Sequence, residues 1–336
     1  MHTRRQVKVR RRRQVDSTKF SAFAIFTGLT SCLVFHNMQV ASFIISTPMR
    51  RYVSTKSLIR PVVSGRAFYH EKSCALGMSI ADTPLGSGKG RELLDGLDVY
   101  EVAAKGDKHP LSVYGINSTA PSSDDNVLLL LHGRTWSSVP VYHLMGGPKH
   151  AEQGYESRSL MEALDRRNIT PYTFDFRGFG GTPRDTEGVI PNRCVEDVET
   201  VLEWIIERHG FEHKVPSLLG WSQGALVAQL SAQKNPSLIS KLILYGSIYD
   251  PSIRYAREPL YIRNKEVDEP VENTFDAAIE DFTIEGTIPP TPACLFAEYA
   301  LLADPIKAPW KQTYQFNNCD PARIHIPTLV VSIICL

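Results

Sequence analysis

The sequence predicts an α/β protein with a doubly wound, mainly parallel sheet. Apolar runs of strand length alternate with longer stretches of helical periodicity, and this alternation favours parallel strands linked by helices. One apolar run ends in Gly220-Trp221-Ser222-Gln223-Gly224 and passes directly into a helix-forming stretch. Two earlier runs end in His132-Gly133 and in the D-x-R-G-x-G sequence at 175–180. The fold prediction rests on these three turn sequences and their order.

Charge is unevenly spread along a chain of otherwise ordinary globular composition. The 336 residues are 43% hydrophobic and 22% charged, with a net charge of +1. Residues 1–70 hold 13 basic residues and one acid, which leaves 24 basic and 35 acidic residues in the remainder. Such a split is typical of a basic tail on a folded domain. The overall balance gives no indication of nucleic acid as a partner.

Residues 1–70 are predicted to be a targeting or membrane-anchor segment. A basic stretch at 4–13 precedes a low-charge, apolar stretch over about 20–45, which is close to the length of a membrane helix. Residues 49–66 are rich in Arg and Ser and contain no acid, as in organelle transit sequences. We therefore expect delivery to an organelle or endomembrane, with membrane contact through 20–45. A nucleic-acid-binding basic patch and a gene model that starts too early are the alternatives.

The predicted core spans 97–250, and the period of its apolar residues defines each element. Residues 127–131 are apolar at every position, which is typical of a parallel strand covered on both faces. Residues 193–208 repeat apolar side chains at helical spacing, and His209-Gly210 ends that helix. In chain order the predicted elements are a hairpin over 98–104 and 111–116, a strand at 127–131, a loop over 136–154, a helix at 156–167, a strand at 169–176, a helix at 193–208, a strand at 215–220, a helix at 223–234 and a strand at 242–245.

Three further segments flank this core. Residues 71–96 are rich in glycine and are predicted to be a linker. Residues 251–320 are predicted to be an insert with helices near 274–281 and 293–303. Residues 321–336 contain a last core strand, near 327–333.

These turn sequences and elements resemble the α/β-hydrolase fold family over about 97–250 and 327–333. The resemblance implies a serine hydrolase of the esterase or peptidase type. Ser222 is then the nucleophile, on a tight turn that places its hydroxyl at a helix N-terminus. The backbone N–H groups of Arg134 and Gln223 are implied as the oxyanion hole. The insert is implied to be a cap that shapes the substrate pocket; a helical decoration without a role in specificity is the alternative.

Other polar residues in the matching turns receive structural roles from the same resemblance. His132 is implied to pack under the oxyanion loop and not to act as the base. Asp175 and Arg177 are implied to fix the loop after their strand. Trp136 and Trp221 either line the substrate pocket or belong to the core, and the core is the more common place for aromatic side chains.

The rest of a catalytic triad has no counterpart in the sequence. In the family an acid follows the strand represented here by 326–331, and a histidine comes later. Only His325 follows Ser222, and it precedes that strand. Asp250 lies where some relatives place their acid, but it has no base to orient. We therefore expect a C-terminally truncated member; a catalytically silent isoform and a base recruited from elsewhere are the alternatives.

Two functions follow from these patterns. The first is a serine hydrolase that cleaves an ester, thioester or small amide through an acyl-enzyme on Ser222. Its partner would be a small-molecule substrate, with no cofactor, and no metal is expected because the six cysteines show no metal-ligand spacing. The second is a catalytically silent hydrolase-fold protein that binds a ligand or partner. A membrane-tethered structural protein rests on residues 1–50 alone, and a Rossmann dehydrogenase is disfavoured because no G-x-G-x-x-G follows the first strand.

Overall fold

A computed structural model describes residues 44–45, 79–86, 88–116, 126–210, 215–257, 270–282, 288–331 and 334–335. The targeting or membrane-anchor segment predicted over 1–70 therefore lies outside the described residues, except for two positions. Among the described residues, no helix is both long enough and apolar enough to span a bilayer.

The elements alternate along the chain as the sequence predicts. The strands are β1 (Ile44–Ile45), β2 (Leu97–Ala103), β3 (Pro110–Ile116), β4 (Asn126–Leu131), β5 (Ile169–Phe174), β6 (Ser217–Trp221), β7 (Leu242–Tyr245), β8 (Thr328–Val331) and β9 (Ile334–Cys335). The α-helices are α1 (Ser138–Tyr142), α2 (Pro148–Glu152), α3 (Leu160–Asp165), α4 (Pro191–His209), α5 (Gln223–Lys234), α6 (Phe275–Phe282) and α7 (Pro290–Ala303).

Seven of these strands form one sheet in the order β2-β3-β5-β4-β6-β7-β8. Strands β5, β4, β6, β7 and β8 are parallel, whereas β3 runs antiparallel to both β2 and β5. β1 pairs with β9 in a separate two-stranded ladder. The mainly parallel sheet confirms the predicted fold class.

The central strand β4 explains why both faces of the sheet are covered. Alternate side chains of a strand point to opposite faces. Leu129 and Leu131 pack in one buried cluster with α4 and α5, and Leu128 and Leu130 pack in a second cluster with α1, α3, α6 and α7. The continuous apolar run of β4 is therefore the signature of a strand buried between two helical layers.

Two predicted segments differ from the observed structure. The stretch 136–154, predicted as a loop, contains α1 and α2, which are only five residues each and too short for a periodic signal. The described part of the predicted linker forms two short 3-10 helices, Ile80–Asp82 and Gly88–Leu94. Leu85 and Leu93 are buried there in a hydrophobic cluster. The high glycine content, on which the linker prediction rests, does not reveal this packing.

Candidate active site

Ser222 occupies a sharp turn between β6 and α5. The strand ends at Trp221 and the helix begins at Gln223. Ser222 itself has φ 54° and ψ −120°, a region that residues with a Cβ rarely occupy. Its N–H donates to the Tyr245 carbonyl oxygen at 2.9 Å, which ties the turn to the neighbouring strand. The side chain is half-buried at the carboxyl end of the sheet.

Gly220 and Gly224 permit this turn because neighbouring backbone occupies the space of a side chain. A Cβ on Gly220 would overlap the Gly224 carbonyl oxygen and lie 2.6 Å from Ala225 Cα. A Cβ on Gly224 would overlap the His132 carbonyl oxygen. Both glycines are therefore required by close backbone approach, since neither has a positive φ.

The loop after β4 lies directly against the Ser222 turn. A Cβ on Gly133 would lie 3.3 Å from Ser222 Cβ and 3.0 Å from the Trp221 ring. Gln223 is the first residue of α5, so its N–H has no acceptor within the helix. Among the described residues, no protein acceptor is hydrogen-bonded to the Arg134 N–H either. The sequence-predicted serine and the two predicted backbone donors thus lie in adjoining segments.

A small cleft borders Arg134. Its volume is about 260 Å³, and its lining residues are Arg134, Thr135, Lys307, Ala308, Pro309 and Trp310. The Trp310 ring N–H donates to the Arg134 carbonyl oxygen at 3.0 Å. The cleft therefore joins the loop after β4 to the chain that follows α7.

His132 is a buried, neutral residue. It is 0% exposed, and burial lowers its pKa to about 3. Its Nε2 accepts the Phe176 N–H at 3.0 Å, so Nδ1, 3.0 Å from the Gly133 carbonyl oxygen, carries the proton. Both ring nitrogens thus hold backbone groups together and are not free to serve as a base.

No hydrogen bond within the described part of the chain joins Ser222 Oγ to a histidine. Four described histidines other than His132 and His325 are hydrogen-bonded to other groups. The pairs are His109 with the Pro183 carbonyl, His143 with Ser159 and the Asp95 carbonyl, His150 with the Gly146 carbonyl and Tyr299, and His209 with Tyr172. Val331 is level with Trp221 across the sheet. His325 lies six residues before Val331, roughly 20 Å towards the opposite end at about 3.3 Å per residue.

Asp250 forms local hydrogen bonds, and Trp136 and Trp221 pack against the hydrophobic core. The Asp250 carboxylate accepts from Ser252 N–H at 2.8 Å and Oγ–H at 2.6 Å, and these bonds lower its pKa. Trp136 is 1% exposed and packs edge-on against Phe296, so it belongs to the core. Trp221 is partly buried against the same cluster.

The D-x-R-G-x-G loop is held by buried charges. Arg177 is 5% exposed and donates to carboxylates from three different segments: Asp107, Asp185 and Asp197. The Arg177 hydrogen bond holds the pKa of Asp107 well below its usual range, whereas burial raises the pKa of Asp197 to about 6. This network fixes the loop after β5.

Asp175 and Asp304 form a second buried polar group beside the loop after β4. Asp175 accepts from the Tyr114 hydroxyl and from both the N–H and Oγ–H of Ser138. Asp304, just after α7, accepts the Ser137 N–H at 2.7 Å and the Gly180 N–H at 2.9 Å. Sequence reasoning missed Asp304, because a single acid after an apolar helix carries no motif.

Comparison with known proteins agrees with this architecture. The family described as the alpha/beta hydrolase fold matches residues 126–269. Serine hydrolase BPHL of Mus musculus is 29% identical over 90 residues, a match that spans 26% of this chain and only 29% of that relative. The family match and the mainly parallel seven-stranded sheet show an α/β-hydrolase fold, and both matches support a hydrolase.

Two solved structures are similar to the chain. One is a carboxyl esterase from Bacillus coagulans, at 16% identity over 45% of this chain and 44% of that chain, with a TM-score of 0.33. The other is a bacterial membrane phospholipase A, at 17% identity over 71% of this chain and 70% of that chain, with a TM-score of 0.42.

Proposed function

We propose that the chain is a serine hydrolase that cleaves an ester, thioester or small amide through an acyl-enzyme on Ser222. The observation that carries the proposal is the backbone of Ser222, at φ 54° and ψ −120°. Strain of about 1–3 kcal/mol at one residue persists only where the surrounding structure enforces it, and such residues cluster at active sites. Here flanking glycines and a neighbouring strand enforce it.

The surroundings of Ser222 support acyl transfer. The N–H groups of Gln223 and Arg134 are proposed to stabilise the negative charge of a tetrahedral intermediate, in addition to the favourable end of the α5 dipole. The cleft beside Arg134 is proposed to receive one arm of the substrate, with the insert over 251–320 as the cap that bounds it. Water would then release the acid, and no cofactor takes part.

Covalent labelling of Ser222 tests this proposal. The full chain is incubated with a fluorophosphonate, and the modified peptide is identified by mass spectrometry. Labelling at Ser222, lost in Ser222→Ala and retained in Ser240→Ala, is the expected result. Ser240 is a matched control because it precedes β7, at the opposite end of the sheet. A folded wild-type chain that never reacts would sink the acyl-enzyme proposal.

One observation favours a second function, a silent hydrolase-fold protein that binds a ligand or partner. The described histidines are either bonded elsewhere or, in the case of His325, at the far end of the sheet, so none of them is placed to take the Ser222 proton. Without a general base, about 10²–10⁴-fold of the rate is lost. This reading predicts that Ser222→Ala leaves ligand binding unchanged and that the wild type shows no ester hydrolysis.

We further propose that residues 1–70 direct the chain to an organelle or endomembrane, with membrane contact through 20–45. The basic, nearly acid-free composition supports this proposal. A fluorescent protein fused behind residues 1–70 should localise to a membrane-bound compartment. Diffuse fluorescence throughout the cell would contradict it.

A further inference from the structure

We propose that Asp304 is a positioning residue of the candidate active site, whose carboxylate holds the loop that carries the Arg134 N–H. This inference rests on the proposed hydrolase function. Asp304 lies just after α7, in the predicted insert and far in sequence from the turns that resemble the family.

Each carboxylate oxygen of Asp304 holds a different active-site segment. Oδ2 accepts the Ser137 N–H, three residues after Arg134 in the loop that follows β4. Oδ1 accepts the Gly180 N–H, in the loop that follows β5. Asp304 is 3% exposed, so water is not available to replace it. One side chain therefore clamps two loops together, and loss of either oxygen leaves a buried donor unpaired.

The chain around Asp304 reinforces the same connection. The Asn273 side chain donates to the Asp304 carbonyl oxygen at 2.8 Å, which fixes its backbone. The Arg184 guanidinium, from the loop after β5, donates to the Ile306 and Lys307 carbonyl oxygens. The Trp310 ring N–H reaches the Arg134 carbonyl oxygen. Residues 304–310 are thus bonded both to the D-x-R-G-x-G loop and to the residue proposed as oxyanion donor.

The charge state of Asp304 supports a positioning role. Burial raises its pKa to about 7, with Asp175 as the facing carboxylate; the Tyr114 hydroxyl that pairs with Asp175 also has a raised pKa from burial. A buried carboxyl of this kind lowers stability at neutral pH. Both N–H partners favour the ionised form, because it offers two strong acceptor oxygens, whereas protonation converts one oxygen into a hydroxyl that accepts only weakly. An asparagine at this position would keep the shape of the side chain but would offer only one acceptor oxygen, with an NH₂ group in place of the other.

The test compares Asp304→Asn with Asp276→Asn in the full chain. Asp276 is an exposed acid in α6 of the same insert, which makes it a matched control. Amide NMR follows Ser137, Gly180 and Arg134, and the rate of fluorophosphonate labelling follows Ser222. We expect Asp304→Asn to shift all three amides and to slow labelling by about tenfold or more, since small displacements of catalytic groups have effects of this size. Asp276→Asn should do neither.

The outcomes separate this inference from the proposed function. If Ser137 and Gly180 shift while the Arg134 amide and the labelling rate stay unchanged, Asp304 is only a structural residue and the inference is overturned. If wild-type Ser222 does not label at all, the hydrolase proposal fails, and the Arg134 amide alone decides for or against positioning. If Asp304→Asn does not fold, a pH titration of the wild type decides. An Arg134 amide that shifts together with the Ser137 and Gly180 amides supports positioning, and one that stays unchanged while those two shift overturns it.

Discussion

The two sides of the candidate site are held by different physics. On the Ser222 side, glycines allow backbone segments to touch, and the geometry is enforced by steric exclusion. On the Asp304 side, a buried carboxylate and an indole N–H join loops that would otherwise be separate. Steric exclusion admits no alternative arrangement, whereas hydrogen bonds can be lost one at a time. The first side should therefore fail abruptly on mutation and the second by degrees.

The largest effect concerns the buried charges around Arg177, which hold the loop after β5 that Asp304 contacts through Gly180. Arg177→Met should destabilise the fold by roughly 3–5 kcal/mol, because it leaves the carboxylate of Asp197, 1% exposed, without its partner. Chemical denaturation measures the change. Lys105→Met is the control, since its surface pairing with Glu203 and Glu199 is worth less than about 1 kcal/mol. Equal effects of the two substitutions would contradict the buried network.

The steric side is tested by Gly224→Ala. The added methyl group would overlap the His132 carbonyl oxygen, so we expect a loss of about 3 kcal/mol and no labelling of Ser222. Gly106→Ala is the matched control, because no heavy atom lies within 4 Å of its Cβ position. That control should stay within about 0.5 kcal/mol of the wild type. Normal labelling of a Gly224→Ala chain would contradict the steric enforcement of the Ser222 turn.

The pH dependence of the free energy of unfolding tests the Asp304 side of the site. The pKa of Asp304 is raised from 3.8 to about 7, so between those pH values the folded chain retains a proton that the unfolded chain has lost. Its contribution to stability therefore falls as pH rises from about 4 to about 7. Asp304→Asn should remove this fall, and its stability relative to the wild type should rise by an amount on the order of 3 kcal/mol across the window. Thermal unfolding at pH 4.5 and 8, in ~100 mM salt, measures it.

If the stability difference between Asp304→Asn and the wild type does not change with pH, the raised pKa of Asp304 is contradicted. Asp197 has a pKa raised in the same direction, but it is present in both proteins and cancels in the comparison. Asp276→Asn, in the exposed first turn of α6, should follow the wild-type profile throughout.

The smallest effect concerns a single neutral hydrogen bond. Trp310→Phe removes the donor to the Arg134 carbonyl oxygen and should lower stability by about 1 kcal/mol, with a modest slowing of Ser222 labelling. Trp204→Phe is the matched control, because its ring N–H has no hydrogen-bond acceptor among the described residues. If both variants label at the same rate, Trp310 does not help to fix the loop.

This contrast also explains how much of the molecule the sequence predicts. The mainly parallel sheet and the order of its elements along the chain follow from continuous apolar runs and from helical periodicity, as in β4 and α4. The setting of Ser222 follows from glycines at fixed spacing, because steric exclusion acts between near neighbours in sequence. These features are local, and local features leave a pattern.

The Asp304 side leaves no comparable pattern. The carboxylate meets Ser137 and Gly180 from more than 120 residues away, and nothing in the residues around 304 marks it. The helices α1 and α2 were missed for a similar reason, since five residues do not establish a period. Long-range polar contacts are set by the tertiary structure and become visible only there.

The backbone conformation of Ser222 affects which substitutions selection for stability would favour at this position. At φ 54° and ψ −120° a glycine is the residue of least strain, so Ser222→Gly should yield a more stable fold. A lineage selected for folding alone would therefore tend to lose the hydroxyl at this position. The serine at this position therefore lowers the stability of the fold, which is the kind of cost that proteins carry at positions proposed to be reactive.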